Sequence, residues 1–77
     1  MFTEIKNKRK KIGLTIHEVV LSFNQEPPKD IQTTVVNWSR YENGKVAVRL
    51  DFFRKAQLVL NKLILAKIKE LTKNKKK

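Results

Sequence analysis

The segment Gly13-Leu14-Thr15-Ile16-His17-Glu18 sets the stop signal of one helix directly against the start signal of the next. Gly13 is the residue expected where a helix ends in the left-handed conformation, and Leu14 is placed to cover that end hydrophobically. Thr15 and Glu18 then form a capping-box pattern, in which the hydroxyl accepts from the Glu18 backbone and the carboxylate reaches back to Thr15. A chain punctuated this way makes two short helices joined by a tight turn. Upstream, Phe2, Ile5 and Ile12 share a stripe with Arg9 while Lys6, Lys10 and Lys11 face the other way, which predicts an amphipathic helix over residues 2–12. Downstream, Ile16, Val19, Val20 and Phe23 supply the apolar surface of a second helix.

From Asn24 to Thr34 the pattern breaks, because Pro27 and Pro28 cannot continue a helix and their neighbours are polar, so a surface loop is expected. Thr33 or Thr34 offers an N-cap for a third helix over residues 35–41, and Asn43-Gly44 is a strong terminator after Glu42. Val46, Ala47 and Val48 read as a short extended connector. Arg49-Leu50-Asp51 opens a fourth helix with apolar positions at Leu50, Phe53, Ala56 and Val59 or Leu60. The spacing continues through Leu63, Ile64, Ile68 and Leu71, with a break at Asn61 that would make a fifth helix. The expectation is an all-α fold of four to five short helices, with residues 1–72 forming a single domain and 73–77 a disordered lysine tail.

A chain of 77 residues has room for one core and none for a deep substrate cleft, so an enzyme is not expected. There is no cysteine and His17 is the single histidine, so neither a disulfide framework nor a metal site is expected, and no cofactor either. No early apolar run suits a signal peptide, and the stretch 58–68, interrupted by Asn61, Lys62 and Lys67, falls short of the roughly 20 residues that a membrane span needs. The formal net charge is +11. Residues 1–13 and 66–77 together hold eleven basic groups and two acids, leaving seven basic and five acidic groups between them. Clustered Lys and Arg favour a polyanionic partner.

Residues at wider spacing carry a resemblance. Ile5-x-x-x-Arg9-x-x-x-Gly13-Leu14-Thr15-x-x-Glu18, then Val36-x-Trp38-Ser39-Arg40-Tyr41-Glu42-Asn43-Gly44-Lys45, then Leu50-x-x-Phe53, resemble the phage repressor and Cro (XRE-type) family of helix-turn-helix proteins over residues 3 to about 60. The resemblance implies a lambda-repressor-like domain whose third helix enters the major groove of double-stranded DNA. It places Thr34, Val35, Val36, Asn37 and Arg40 where the family reads or approaches bases, and Lys45 and Arg49 where it grips phosphate. Arg40 is the best candidate for reading a base, since a guanidinium donates two hydrogen bonds to guanine. It also implies a buried structural pair between Arg9 and Glu42, with Trp38 and Tyr41 facing inward.

Three departures from that family pattern shape the functional expectation. Ile16 stands where the family often has a phosphate-binding Gln, about eight extra residues around Pro27-Pro28 extend the turn inside the motif, and the third helix begins with two valines. The valines could contact thymine methyls. They could equally form a protein-binding surface, as in the small phage switch proteins of this resemblance that act as antirepressors or modulators by binding a phage repressor. Direct DNA binding by a cytoplasmic, nucleoid-associated transcriptional regulator is the first expectation and the repressor modulator the alternative. The last helix, with Leu60, Ile64, Ile68 and Leu71 on one side, could pair two copies of the chain; a membrane is not expected as its partner.

Overall fold

The computed structural model describes residues 2–75, with side chains through Leu71. Four helices follow in order, α1 (Phe2–Ile12), α2 (Ile16–Gln25), α3 (Val35–Glu42) and α4 (Leu50–Lys75), with no strand among the described residues. The all-α expectation holds, but "short" fails for α4, which runs 26 residues without a break at Asn61. Asn61 is exposed, so it costs the helix only a fraction of a kcal/mol in propensity, about 0.7 at most. The apolar repeat on either side continues through it. At about 1.5 Å per residue α4 is roughly 39 Å long, and it sets the long dimension of a body measuring 44 × 24 × 18 Å. Its backbone passes through Lys73, Asn74 and Lys75 of the expected tail, while Lys76 and Lys77 lie outside the described residues.

α1 and α2 each pack against both α3 and α4. Between them lies an aromatic core in which Phe52 is central, with ring centroids 4.7 Å from Phe23, 4.8 Å from Tyr41 and 6.0 Å from Trp38. Phe2 closes the cluster edge-on to Trp38 at 5.0 Å. Ile5, Val19, Val20, Ala56, Val59 and Leu60 fill the space around the rings. Trp38 and Phe23 are fully buried, so α3 is anchored by one large side chain in the middle of its inward face.

The punctuation acts as its residue types dictate. Gly13 has φ +82°, its N–H donates to the Lys10 carbonyl and that of Leu14 to the Arg9 carbonyl, the paired bonds of a Schellman end. Gly44, at φ +71°, ends α3 in the same way, with its N–H on the Tyr41 carbonyl and that of Lys45 on the Arg40 carbonyl. Thr15 caps α2 in a complete capping box: Glu18 N–H donates to Thr15 Oγ1 at 3.2 Å and Thr15 N–H to Glu18 Oε1 at 3.0 Å. α2 runs two residues past Phe23 into the expected break, to Gln25, and α3 one past Tyr41 to Glu42. The connector at 46–48 is irregular.

Candidate nucleic-acid interface

The candidate surface is the outward side of α3, and what fixes its orientation is buried beneath it. Arg9 donates through Nε to Glu42 Oε2 at 2.7 Å and through Nη2 to Glu42 Oε1 at 2.9 Å, while its Nη1 donates to the Leu14 carbonyl at 2.8 Å. Trp38 Nε1 adds a third donor to the same carboxylate at 2.7 Å. The side chains of Arg9 and Glu42 are 10% and 3% exposed. A planar guanidinium matches a carboxylate with two parallel bonds, and here its remaining edge also satisfies the turn between α1 and α2. The pair therefore ties α1, the turn and the C-terminal end of α3 into one unit. No buried side-chain nitrogen or oxygen among the described residues is left without a hydrogen bond.

With Trp38 and Glu42 inward, Val36 and Arg40, one helical turn apart, stand on the opposite pole of α3. Val36 is 63% exposed and Val35, nearer the core side, 40%. Asn37 is exposed beside them. Thr34 is the N-cap of α3, its hydroxyl accepting from the Asn37 N–H at 3.1 Å, which leaves its proton free to donate outward. Lys45 follows the Schellman end of α3 with its side chain exposed. Arg49 belongs instead to the start of α4, where it reaches Asp51 at 3.4 Å in a solvent-exposed pair. α3 thus presents Thr34, Val36, Asn37 and Arg40 together, with Lys45 at its end, while Arg49 stands at the start of α4. His17 is exposed on α2.

The extended loop between α2 and α3 is held by side chains. Asn24 uses both ends of its amide, donating to the Thr33 carbonyl and accepting from the Thr33 N–H, each at 2.9 Å. Lys55, buried on α4, donates to the carbonyls of Pro28, at 2.7 Å, and Ile31, and its ammonium lies 4.4 Å from the centre of the Phe23 ring. Burial pushes the Lys55 amine below its usual range, partly offset by the charges of Asp30 and Glu26. Lys62 meets Glu26 at 2.6 Å at the loop's start, and the Pro27-Pro28 bond is cis. Sequence reading missed Asn24 and Lys55 in these roles. Lys55 did leave a signal, since it falls on the apolar stripe Phe52, Ala56, Val59 as Arg9 falls on that of α1.

No protein-family model, curated protein or solved structure matches this chain. Among the described residues no helix is long and apolar enough to cross a membrane, and no group of three or more His, Cys, Asp or Glu side chains could hold a metal ion.

Proposed function

We propose that the chain is a small phage-type or bacterial transcriptional regulator that binds double-stranded DNA through a helix-turn-helix of α2 and α3, with residues 35–41 as the recognition helix. The observation that carries this reading is the sorting of charge on α3. Its one acid, Glu42, is turned inward and neutralised by Arg9, so the outward face bears Arg40 with no carboxylate beside it on the helix, and Lys45 follows. Such a face approaches polyanion without repulsion. Arg40 would donate to guanine N7 and O6, Val36 would touch a thymine methyl, and Asn37 would pair with adenine or a phosphate. Thr34, Lys45 and Arg49 would hold the backbone and carry no sequence information.

A second reading rests on Val36, whose exposure beside the half-exposed Val35 makes an apolar spot with one flanking cation. On that reading the same face binds a partner repressor protein and throws a genetic switch. One experiment addresses both: the purified protein is titrated onto the DNA flanking its own coding region and onto the neighbouring regulator. On DNA, Arg40→Ala should cost about 1–3 kcal/mol and relax one base pair, whereas Lys45→Ala should weaken all sequences alike and lower the salt slope by about one unit. Equal affinity for specific and random DNA across a salt series rejects sequence reading. Val36→Asp abolishing capture of the regulator, with helicity unchanged, would move the assignment to the modulator.

A further inference from the structure

Toward its end the α2–α3 loop alternates. Ile31 is half-buried, Gln32 exposed, Thr33 buried and Thr34 exposed, and the Thr34 backbone is extended at φ −123° and ψ 158 + 6 = 164°.

Side chains of an extended segment point to opposite sides in turn, so Gln32 stands on the same side as Thr34, roughly 6–7 Å before it along the chain. Thr34 is the N-cap of α3. Gln32 therefore prolongs, by one position, the surface that α3 presents through Thr34, Val36, Asn37 and Arg40. The backbone that carries it is held on both sides by side chains from elsewhere. Lys55 Nζ donates to the carbonyl of Ile31, and the Asn24 amide takes both the N–H and the carbonyl of Thr33, each at 2.9 Å. Neither clamp uses the Gln32 side chain, which is left to solvent. Packing accounts for Ile31 and Thr33, which face inward, but not for an exposed glutamine between two clamped residues. A backbone fixed before binding has less freedom to lose on binding, which raises what each hydrogen bond made there contributes.

Gln32 also lines a small depression with Asp30, Arg49, Asp51 and Phe52. Asp51 is already engaged, its Oδ1 accepting from the Phe52 N–H at 2.8 Å and its Oδ2 facing Arg49 at 3.4 Å. With Lys29 next to Asp30 in the chain, two cations and two carboxylates cancel here, so an anion has to be met by a dipole. A carboxamide suits that task, since its NH2 group donates two hydrogen bonds without adding charge. We propose, resting on the helix-turn-helix reading above, that Gln32 donates to a phosphate of the DNA backbone beside the groove that α3 enters. The inserted loop then supplies the neutral phosphate contact that Ile16 cannot make.

Gln32→Ala, Gln32→Glu and Gln32→Lys are titrated over a salt series onto the DNA flanking the coding region and onto a random duplex of equal length. Gln32→Ala should weaken both duplexes by the same factor, about threefold to tenfold, with the salt slope unchanged, because a neutral donor displaces no counterion. Gln32→Glu, which cannot donate, should weaken them further. Gln32→Lys should steepen the salt slope by about one unit, a change that a residue facing away from DNA would not produce. Protection of the Ile31 and Thr33 amides from exchange should stay native in all three, which separates a contact from support of the loop. Asn24→Ala should reduce protection at Thr33, and in that background removal of Gln32 should cost less than in the native chain. Affinity within about twofold of native for Gln32→Ala, alongside a loss of base preference in Arg40→Ala, overturns the contact and leaves the helix-turn-helix standing. A loss confined to one duplex overturns phosphate as the target. A native chain that binds neither duplex overturns the helix-turn-helix reading itself, and this contact with it.

Discussion

The two connections that flank α2 do the same job by opposite means. Between α1 and α2 the chain turns in three residues, and the groups that set the turn are Gly13, Thr15 and Glu18 themselves, joined by Arg9 from the preceding helical turn. Between α2 and α3 it takes the nine residues 26–34, and the side chains that hold this loop come from Asn24 on α2 and from Lys55 and Lys62 on α4. A short connection is determined by its own sequence; a long one has to be fastened by groups distant along the chain. Each contains a buried cation, but Arg9 is paired with a carboxylate, while Lys55 has two carbonyls and an aromatic face. The first should be a determinant of the whole fold and the second a determinant of one segment.

The largest expected effect follows from that difference. Arg9→Met leaves Glu42 buried with only the Trp38 indole as donor, and unpairing a buried charge costs about 3–5 kcal/mol. In a domain of this size that is a large share of a total stability of about 5–15 kcal/mol. Chemical denaturation should show the midpoint collapsing, and Arg9→Met with Glu42→Leu should recover a substantial part, since an apolar replacement removes the stranded charge. A midpoint within about 1 kcal/mol of the native protein for Arg9→Met alone would remove the ion pair from its place in the comparison.

How much of this was legible in the sequence divides along the same line. Gly13, Thr15, Glu18, Asn43 and Gly44 act on neighbours within five residues, so α1 to α3 could be bounded to within a residue or two from their types. Arg9 betrayed its burial by lying on an apolar stripe, and the resemblance supplied Glu42 as its counterpart. The loop was legible only as a loop. Nothing local ties Lys55 to the Pro28 carbonyl 27 residues away, or makes Asn24 a mimic of a paired backbone rather than the first residue of a break. For the candidate interface, α3 as a unit was readable, but the unequal exposure of Val35 and Val36 depends on which way Trp38 rotates the helix. Whether the repeat beyond Asn61 belonged to α4 or to a fifth helix was left open by the sequence, although a single exposed Asn has little power against a continuing apolar repeat.

The loop's fastening yields an intermediate effect with a pH signature. Lys55→Met removes a charged donor from two carbonyls, a loss of about 1–3 kcal/mol that should appear as local opening. Amide exchange at Ile31 and Thr33 should accelerate while that of Leu14 stays as in the native protein. Burial holds the Lys55 amine below the usual lysine value of 10.5, so as pH rises through the folded value toward 10.5 the unfolded chain holds more protons than the native one. Native stability should therefore rise relative to Lys55→Met across that window, where the variant lacks the titrating group. Parallel stability curves for the two proteins above neutral pH would show that the ammonium is not desolvated in the folded state.

The smallest effect belongs to the short turn and tests whether its fastening is local. The Glu18 carboxylate accepts hydrogen bonds from the backbone and then the hydroxyl of Thr15, which holds its pKa below the ordinary value of 4.5. A carboxyl with a depressed folded value contributes stability that is present above 4.5 and is lost as pH falls through the folded value. Glu18→Gln keeps an acceptor for the Thr15 N–H but is neutral at every pH, as protonated Glu18 is, so near pH 7 it should be slightly less stable than the native chain, and the gap should close in acid. The two denaturation midpoints should then converge on the acid side, as the native chain loses the stability that its carboxylate supplied. Because the group is exposed and its partner lies three residues away, the Lys55-dependent protection of Ile31 and Thr33 should not respond to Glu18→Gln. Faster exchange at those two amides in this variant would mean that the two connections are one cooperative unit and that the division between local and distant fastening is wrong.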